Sequence, residues 1–160
     1  MTSQPIRITL PSPQHTKDFA TRLGALLRPG DTLLLEGPIG AGKTHFARSL
    51  IQSRLPVPED VPSPTFTLVQ TYDAGEGEIW HADLYRLTGP GDVMELGLAE
   101  AFDTAICLIE WPDRLGELVP DHALTLRMIP AEAEETRVLE LTWTAPTWDA
   151  RLEEIANDRS

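Results

Sequence analysis

Gly37-Pro38-Ile39-Gly40-Ala41-Gly42-Lys43-Thr44 is the stretch that decides the fold of this 160-residue chain. It fits the pattern G-x-x-x-x-G-K-[ST], which is typical of loops that bind phosphate. Glycines let successive backbone N–H groups approach a phosphate, because no Cβ atom stands in the way. Lys43 is therefore expected to reach the β- and γ-phosphates of a nucleotide, and the Thr44 hydroxyl to join the shell of a Mg²⁺ ion.

The segments on either side of this loop are those that the motif requires. Residues 31–36 include a short apolar run, which predicts a buried strand. After the loop, Phe46, Leu50 and Ile51 share one face of a predicted helix that ends near Arg54. A strand, a glycine loop and a helix in this order favour nucleotide binding over a chance glycine-rich turn.

The composition is that of an ordinary globular protein, with 41% hydrophobic and 24% charged residues. We predict one domain over residues 1–160, in which residues 146–160 form a loosely attached C-terminal tail. No apolar run approaches the length of a membrane span, and the first residues lack the apolar core of a signal peptide. We therefore expect a cytoplasmic protein with no membrane partner. Cys107 lies in an apolar run and is expected to be a buried thiol.

The formal net charge is −12. Proteins that grip nucleic acid by themselves need a surface rich in Lys and Arg, and the strength of that grip depends on salt. If this chain serves a nucleic-acid pathway, a partner protein is expected to hold the polymer.

The remaining hydrophobic patterns predict a mixed sheet. Residues 66–72 and 78–83 are expected to form a hairpin, and residues 106–110, apolar throughout until the final Glu110, a central parallel strand. A second hairpin is predicted over residues 124–128 and 138–143. The fold class expected is α/β, a three-layer fold like that of the phosphate-loop NTPases, with a parallel core and antiparallel hairpins.

Three other segments are predicted from alternation and capping signals. Ile6, Ile8 and Leu10 alternate with polar residues and indicate a first strand. Thr16 is expected to cap a helix before the phosphate loop, and Asp92 to cap a helix before the central strand.

A proline-rich segment, residues 55–64, follows the loop helix and cannot itself be helical. It is either a plain linker or a switch segment that senses the γ-phosphate. In the second case Thr65 is the hydroxyl expected to reach the metal or the phosphate.

Two acidic side chains stand at the ends of apolar strands, Asp83 and Glu110. A phosphate loop needs a carboxylate that holds Mg²⁺ and another group that orients the attacking water. Ligands collect at the carboxyl ends of strands in open α/β sheets, which favours both acids over simple solvated strand ends. Periodicity alone does not tell which acid binds the metal. His81, Tyr85 and Arg86 surround Asp83, and each has a structural explanation as well as a functional one.

Several motifs occur together in the order seen in one family. They are the phosphate loop, Ser63-Pro64-Thr65-Phe66, His81-Ala82-Asp83-Leu84-Tyr85-Arg86, Glu95-Leu96-Gly97-Leu98 and Ile109-Glu110-Trp111. Through this ordered set the chain, from Thr16 to Trp143, resembles the TsaE family (also called YjeE), small bacterial ATPases needed to make threonylcarbamoyladenosine in tRNA. The phosphate loop alone indicates only a nucleotide hydrolase.

The resemblance implies ATP and Mg²⁺ as cofactors, and it implies roles for the residues. Asp83 would help hold Mg²⁺, Glu110 would act near the hydrolytic water, and Trp111 would lie near the nucleotide. The expected nucleotide-binding residues are Gly37, Gly40, Ala41, Gly42, Lys43, Thr44, His45 and Trp111. The expected catalytic residues are Lys43, Glu110 and Thr65, and the expected metal ligands are Thr44, Asp83 and Glu110.

The resemblance also implies partners and a target. These are the proteins TsaD and TsaB, with tRNA reached only indirectly through their complex, and TsaC acting upstream. The modified nucleoside would be adenosine 37 of tRNAs that read codons beginning with A. Pro38, Ile39 and His45 depart from the residues frequent in the family, although no required group is lost.

Two other functions are compatible with a phosphate loop. A small-molecule kinase needs an acceptor pocket and usually a lid with several arginines, and we find no compact Arg-rich lid segment in the sequence. A nucleotide-dependent binding module would bind ATP without depending on its hydrolysis.

Overall fold

The structure is a computed structural model that describes residues 5–38, 40–62, 64, 67–87 and 90–158. Within these residues the strands join in one seven-stranded sheet with the order β1-β7-β6-β2-β5-β4-β3. The strands are β1 Ile6–Leu10, β2 Thr32–Glu36, β3 Val69–Asp73, β4 Glu78–Asp83, β5 Ile106–Glu110, β6 Leu124–Pro130 and β7 Arg137–Trp143. The helices are α1 Pro13–Gly24, α2 Lys43–Arg54, α3 Pro90–Glu95, α4 Leu98–Thr104 and α5 Thr147–Asp158, with a 3-10 helical segment at Pro112–Leu118.

The centre of the sheet is parallel and its two sides are antiparallel. β2 lies between β5 and β6 and is parallel to both, and β4 is parallel to β5. On one side β3 pairs with β4 as a hairpin, and on the other β7 pairs antiparallel with both β6 and β1. The predicted α/β class, the mixed sheet and both hairpins are therefore confirmed.

Helices cover the two faces of this sheet and give the fold three layers. On one face, Phe46 and Leu50 of α2 belong to a buried cluster with Leu35 and Leu108, to which α1 and α5 also contribute. On the other face, α3, α4 and the 3-10 segment bury side chains such as Leu34 and Ile109. β2 and β5 are apolar nearly throughout because both of their faces are covered.

Two helix starts differ from the sequence prediction. α1 begins at Pro13, because the Ser12 side chain accepts the cap bond from the backbone N–H of His15 and proline suits the first helical position. Thr16, the predicted cap, is buried inside the helix. The helix predicted to be capped by Asp92 begins earlier, at Pro90, with Asp92 in its first turn. It is two helices, because Gly97 adopts a left-handed backbone (φ 81°) between α3 and α4.

The C-terminal segment is not a loosely attached tail. Trp148, Leu152 and Ile155 of α5 are buried in the core cluster. The Arg151 guanidinium forms a bidentate ion pair with Asp31 at 2.7 and 3.3 Å, and it also donates to the carbonyl of Leu26. The charged composition of this segment concealed one apolar face that packs on the sheet. None of the helices in the described ranges has the length and apolarity needed to cross a membrane.

Candidate functional site

The phosphate loop leaves β2 at the carboxyl edge of the sheet and runs into α2. Gly37 has a φ of 144°, and a Cβ atom there would lie 2.6 Å from the carbonyl oxygen of Met128. Gly42 has a φ of 104° immediately before the first residue of α2. Both positions therefore need glycine, one for a close approach of two backbones and the other for the turn into the helix.

Lys43 lies almost wholly inside the protein, with 5% of its surface exposed. Its ammonium group donates to the carbonyl of Gly37 and lies 3.6 Å from the ring centroid of Trp111. Burial lowers the pKa of Lys43, while the negative charges of Glu110, Asp83 and Asp113 act in the opposite direction. The group is thus a desolvated cation that is held against a carbonyl, an aromatic ring and nearby carboxylates.

Thr44, the next residue of α2, contacts an acid at the end of β5. Its hydroxyl donates to the Glu110 carboxylate, 3.0 Å from Oε1 and 3.1 Å from Oε2. Glu110 is 2% exposed, and Oε2 also lies 2.7 Å from Nε2 of His81. The Glu110 carboxylate therefore connects α2 to β4 across the end of the sheet.

Asp83 stands beside Glu110 because the two residues are register partners on neighbouring parallel strands. Its Oδ1 accepts the backbone N–H of Tyr85 at 3.1 Å, and its own N–H donates to the carbonyl of Leu68. Leu68 and Trp111 are the non-glycine residues of the described part with a left-handed backbone, at φ 70° and 58°. Strained backbone of this kind concentrates at functional sites, and here both residues adjoin the paired acids.

These groups surround a cavity of about 430 Å³ above the loop. Its lining residues are Gly40, Gly42, Lys43, Thr44, His45, Asp83, Tyr85, Glu110 and Trp111. The Tyr85 and Trp111 rings, 4.8 Å apart between centroids, form its aromatic wall. Most of these residues were predicted from the sequence to belong to the site, and the structure brings them to one place.

A second cavity of about 410 Å³ adjoins the first on the far side of the loop. Gly42 and His45 line both cavities, while Pro13, Thr16 and Met128 line only the second. Arg137 of β7 also lines it and supports the loop, because its guanidinium donates to the carbonyls of Ala41 at 2.9 Å and Gly40 at 3.4 Å.

The donors present suit a phosphate ester with a hard cation. Mg²⁺ takes oxygen ligands and is usually bound through one or two carboxylates together with substrate phosphates. Thr44 and Glu110 supply such oxygens on one wall, and Asp83 stands next to them. Within the described ranges three or more His, Cys, Asp or Glu side chains do not cluster as a metal site. The Thr44 hydroxyl and the Glu110 carboxylate, present together on one wall of the cavity, suit a cation shared with a bound phosphate.

Some predicted site residues lie elsewhere. Gly37, the first residue of the loop, is not in the lining of the first cavity, and its carbonyl accepts a hydrogen bond from the Lys43 ammonium. Ala41 is buried against the second cavity. Thr65 and the neighbouring Ser63 and Phe66 are outside the described residues, as is Ile39, so the switch role of Thr65 stays a prediction.

Three residues contact the site but were not predicted to belong to it, namely Tyr85 in the wall of the first cavity, His81 and Arg137. His81 precedes Asp83 by two positions on a strand, so strand periodicity places both on one face, and this signal could have identified it. Arg137 is brought to the loop only by the order of the strands, which its local sequence does not reveal.

Comparison with known proteins identifies relatives of the whole fold. The family model described as "Threonylcarbamoyl adenosine biosynthesis protein TsaE" matches residues 10–139. The tRNA threonylcarbamoyladenosine biosynthesis protein TsaE of Rickettsia conorii is 33% identical over 95% of both chains. The protein of the same name from Bacillus subtilis is 33% identical, covering 91% of this chain and 90% of its own.

A solved structure agrees with these sequence relatives. The crystal structure of YdiB from Bacillus subtilis superimposes with a TM-score of 0.81 at 27% identity, over 100% of this chain and 99% of that one. The family match extends through the phosphate loop, the paired acids and the first hairpin, and it ends within β7. The chain belongs to the TsaE family of threonylcarbamoyl adenosine biosynthesis proteins.

Proposed function

We propose that this protein binds Mg·ATP at the phosphate loop and hydrolyses it to support formation of threonylcarbamoyladenosine at position 37 of tRNAs that read codons beginning with A. It would act with the TsaB–TsaD complex, and the tRNA would be reached through that complex. The observation that carries this proposal is the contact of the Thr44 hydroxyl with Glu110, next to the Lys43 ammonium, in one cavity.

The site residues have a consistent division of work under this proposal. Lys43 would exchange the Gly37 carbonyl for the β- and γ-phosphate oxygens, and the N–H groups at the start of α2 would add their partial positive charge. Thr44 and Glu110 would hold Mg²⁺, which neutralises charge that develops on the transferred phosphoryl group. Asp83, the register partner of Glu110, would place a second carboxylate near the Mg²⁺ ion.

The second cavity would accommodate the nucleoside beside the phosphates. It shares Gly42 and His45 with the first cavity, so a nucleotide whose phosphates lie along the loop can extend into it. The exposed side chain of Pro13 offers apolar surface there, which suits the face of a purine base.

The supply of cations around the γ-phosphate is limited. Lys43 is the one lysine or arginine that lines the first cavity within the described residues. In related hydrolases an arginine finger supplied by another protein raises the rate by about 10³–10⁵. We therefore expect slow hydrolysis by this chain alone and faster hydrolysis, or a changed nucleotide affinity, with the partner complex.

The test measures nucleotide binding by calorimetry and phosphate release with wild-type protein and with Lys43→Ala. Wild-type protein should bind Mg·ATP and release free phosphate, whereas the variant should bind ATP weakly and release none while keeping its thermal unfolding temperature. Wild-type turnover in Lys43→Ala would refute the assignment of the loop.

A second measurement tests the partners and separates hydrolysis from phosphoryl transfer. Phosphate release and complex formation are followed with purified TsaB–TsaD under ATP, ADP and no nucleotide. If neither changes among these conditions, the coupling to that complex is wrong. A phosphorylated acceptor in place of free phosphate would identify a kinase instead.

A further inference from the structure

His81 is a buried polar residue with one partner. The side chain is 0% exposed, and its Nε2 lies 2.7 Å from Oε2 of Glu110. Its other ring nitrogen, Nδ1, is buried without a hydrogen-bond partner among the described residues. A buried polar atom with no partner costs free energy, so an imidazole at this position needs a compensating role.

The contact with Glu110 determines which nitrogen carries the proton. A carboxylate only accepts hydrogen bonds, so the Nε2 of His81 must be the donor. Along β4, Ile79 and Asp83 lie on the same face of the sheet as His81. The register partners of His81 are the buried Leu108 on β5 and Gln70 on β3. Among the described residues, the His81 ring makes its hydrogen bond with Glu110. An apolar residue at position 81 would fill this part of the core without leaving Nδ1 unpaired.

The His81 bond restricts the Glu110 carboxylate. Oε2 is held from β4 by His81, and the Thr44 hydroxyl from α2 is within 3.1 Å of both oxygens. Two donors from two different elements therefore fix the rotation of this one carboxylate. Residues that hydrogen-bond a metal ligand commonly set its orientation in this way.

We propose that His81 is a positioning residue, which holds the Glu110 carboxylate in the orientation needed to bind Mg²⁺ beside Thr44. This inference rests on the proposed function as far as the Mg²⁺ ion is concerned. The positioning of Glu110 itself is a property of the nucleotide-free protein and can be tested separately.

The variants compared are His81→Leu, which removes the donor, and His81→Gln, whose amide N–H reaches close to the position of Nε2. His122→Leu is the matched control, because His122 also makes a 2.7 Å bond, to the carbonyl of Gly30, but lies at the opposite edge of the sheet. Crystal structures of the nucleotide-free variants report the position of Glu110. Calorimetry with ADP in Mg²⁺ and in EDTA reports the part of the nucleotide affinity that depends on Mg²⁺.

In His81→Leu the Glu110 carboxylate should rotate away from its contact with Thr44, and the Mg²⁺-dependent gain in ADP affinity should fall by about 10- to 100-fold. Affinity in EDTA should stay unchanged. His81→Gln should restore both the geometry and most of the gain, and His122→Leu should lower thermal stability only.

An unmoved Glu110 in His81→Leu, or a Mg²⁺-dependent gain equal to that of wild type, would overturn the proposal, as would a His81→Gln variant no better than His81→Leu. If wild-type protein binds no nucleotide, the proposed function fails, and the crystal structures still decide whether His81 positions Glu110. If His81→Leu does not fold, the comparison of His81→Gln with wild type decides in the same way.

Discussion

The Thr44 hydroxyl donates to both oxygens of the Glu110 carboxylate, and this contact joins the first turn of α2 to the end of β5. Thr44 follows the phosphate-loop lysine, so an acid in contact with it lies where a cation bound to the β- and γ-phosphates would be. Asp83 is adjacent to Glu110 but has its Oδ1 directed at the N–H of Tyr85. The geometry therefore favours Glu110 over Asp83 as the acid nearer the proposed Mg²⁺ ion, whereas the family resemblance implied Asp83 for the metal and Glu110 for the hydrolytic water.

The first prediction separates these two acids. Glu110→Gln should reduce the Mg²⁺-dependent part of ATP affinity by about tenfold or more, since a tenfold change corresponds to about 1.4 kcal/mol. Asp83→Asn should reduce it less, because the Asp83 Oδ1 accepts the backbone N–H of Tyr85, a bond that an amide oxygen can also accept. Calorimetric titrations of each variant in Mg²⁺ and in EDTA measure the difference. If Asp83→Asn reduces the Mg²⁺-dependent affinity more than Glu110→Gln does, Asp83 is the metal ligand and Glu110 acts on the water.

The second prediction concerns the pH dependence of nucleotide binding through Lys43. Burial lowers the pKa of Lys43 in the nucleotide-free protein, so the ammonium is lost at a lower pH than in a free lysine. Bound phosphate would stabilise the ammonium and raise the pKa again, and ATP binding should therefore take up protons at alkaline pH. Affinity should fall as the pH rises toward 10.5, and the fall should begin at a lower pH than for a solvent-exposed lysine, because burial lowers the pKa of Lys43. Titrations in buffers of different ionisation enthalpy measure this uptake.

The lowered pKa of Lys43 also makes the stability of the folded protein depend on pH. The folded protein binds fewer protons at Lys43 than the unfolded chain between the lowered pKa and 10.5, so this group contributes stability that grows as the pH rises through that interval. Lys43→Met should remove this pH-dependent contribution. An ATP affinity that is independent of pH up to 10 would mean that Lys43 stays fully charged in the free protein.

The third prediction uses Trp111 as a reporter. The Lys43 ammonium lies 3.6 Å from the Trp111 ring centroid, and a cation over an indole face interacts with its π-system. When Lys43 turns toward phosphate, this contact should weaken and the fluorescence of Trp111 should change. Nucleotide should therefore alter tryptophan emission in wild type but not in Trp111→Phe, although Trp80, Trp143 and Trp148 remain. If nucleotide changes the tryptophan emission of Trp111→Phe as much as that of wild type, the fluorescence change arises from another tryptophan.

The fourth prediction concerns α5. Trp148→Ala should lower the free energy of unfolding by about 3–5 kcal/mol, because it removes a buried aromatic side chain. Arg151→Met should cost about 3–5 kcal/mol, since Asp31 would then be buried without its cation. Glu154→Ala, at an exposed position of the same helix, should change stability by less than about 0.5 kcal/mol. Denaturant unfolding of the three variants measures these free energies. Equal stability of all three would mean that α5 is a loosely attached tail, as the sequence predicted.

The sequence predicted the elements whose signals are local. The strand before the loop, the loop helix and both hairpins follow from apolar periodicity and from Gly and Pro, which act on neighbouring residues. The register of β4 against β5 does not follow from such local signals. This register places Asp83 beside Glu110. The contacts of Thr44 and His81 with Glu110 and of Arg137 with Ala41 are also long-range, so the network of the site could be named only in part. The packing of α5 was missed because four acidic residues obscured its narrow apolar face.

The last prediction concerns tRNA. The chain has 25 acidic and 13 basic residues, and several of the latter are already paired with acids, among them Arg7 with Glu140, Arg114 with Asp113 and Arg151 with Asp31. Binding to a polyanion gains free energy when Lys and Arg side chains replace condensed counterions on the phosphates. With a net charge of −12 this gain is small, and the repulsion between protein and tRNA opposes contact.

We therefore expect the isolated chain to bind tRNA no more tightly than about 10⁻⁵ M at about 150 mM salt, with a shallow dependence of affinity on salt. Anisotropy of labelled tRNA, titrated with the chain alone and with the chain plus TsaB–TsaD, measures this. The binary mixture should show almost no complex, and the tRNA should bind when the partner proteins are present. Submicromolar binding by the chain alone, with a steep loss of affinity as salt is raised, would reveal a basic face strong enough to overcome the net charge, and the route to tRNA would then be direct.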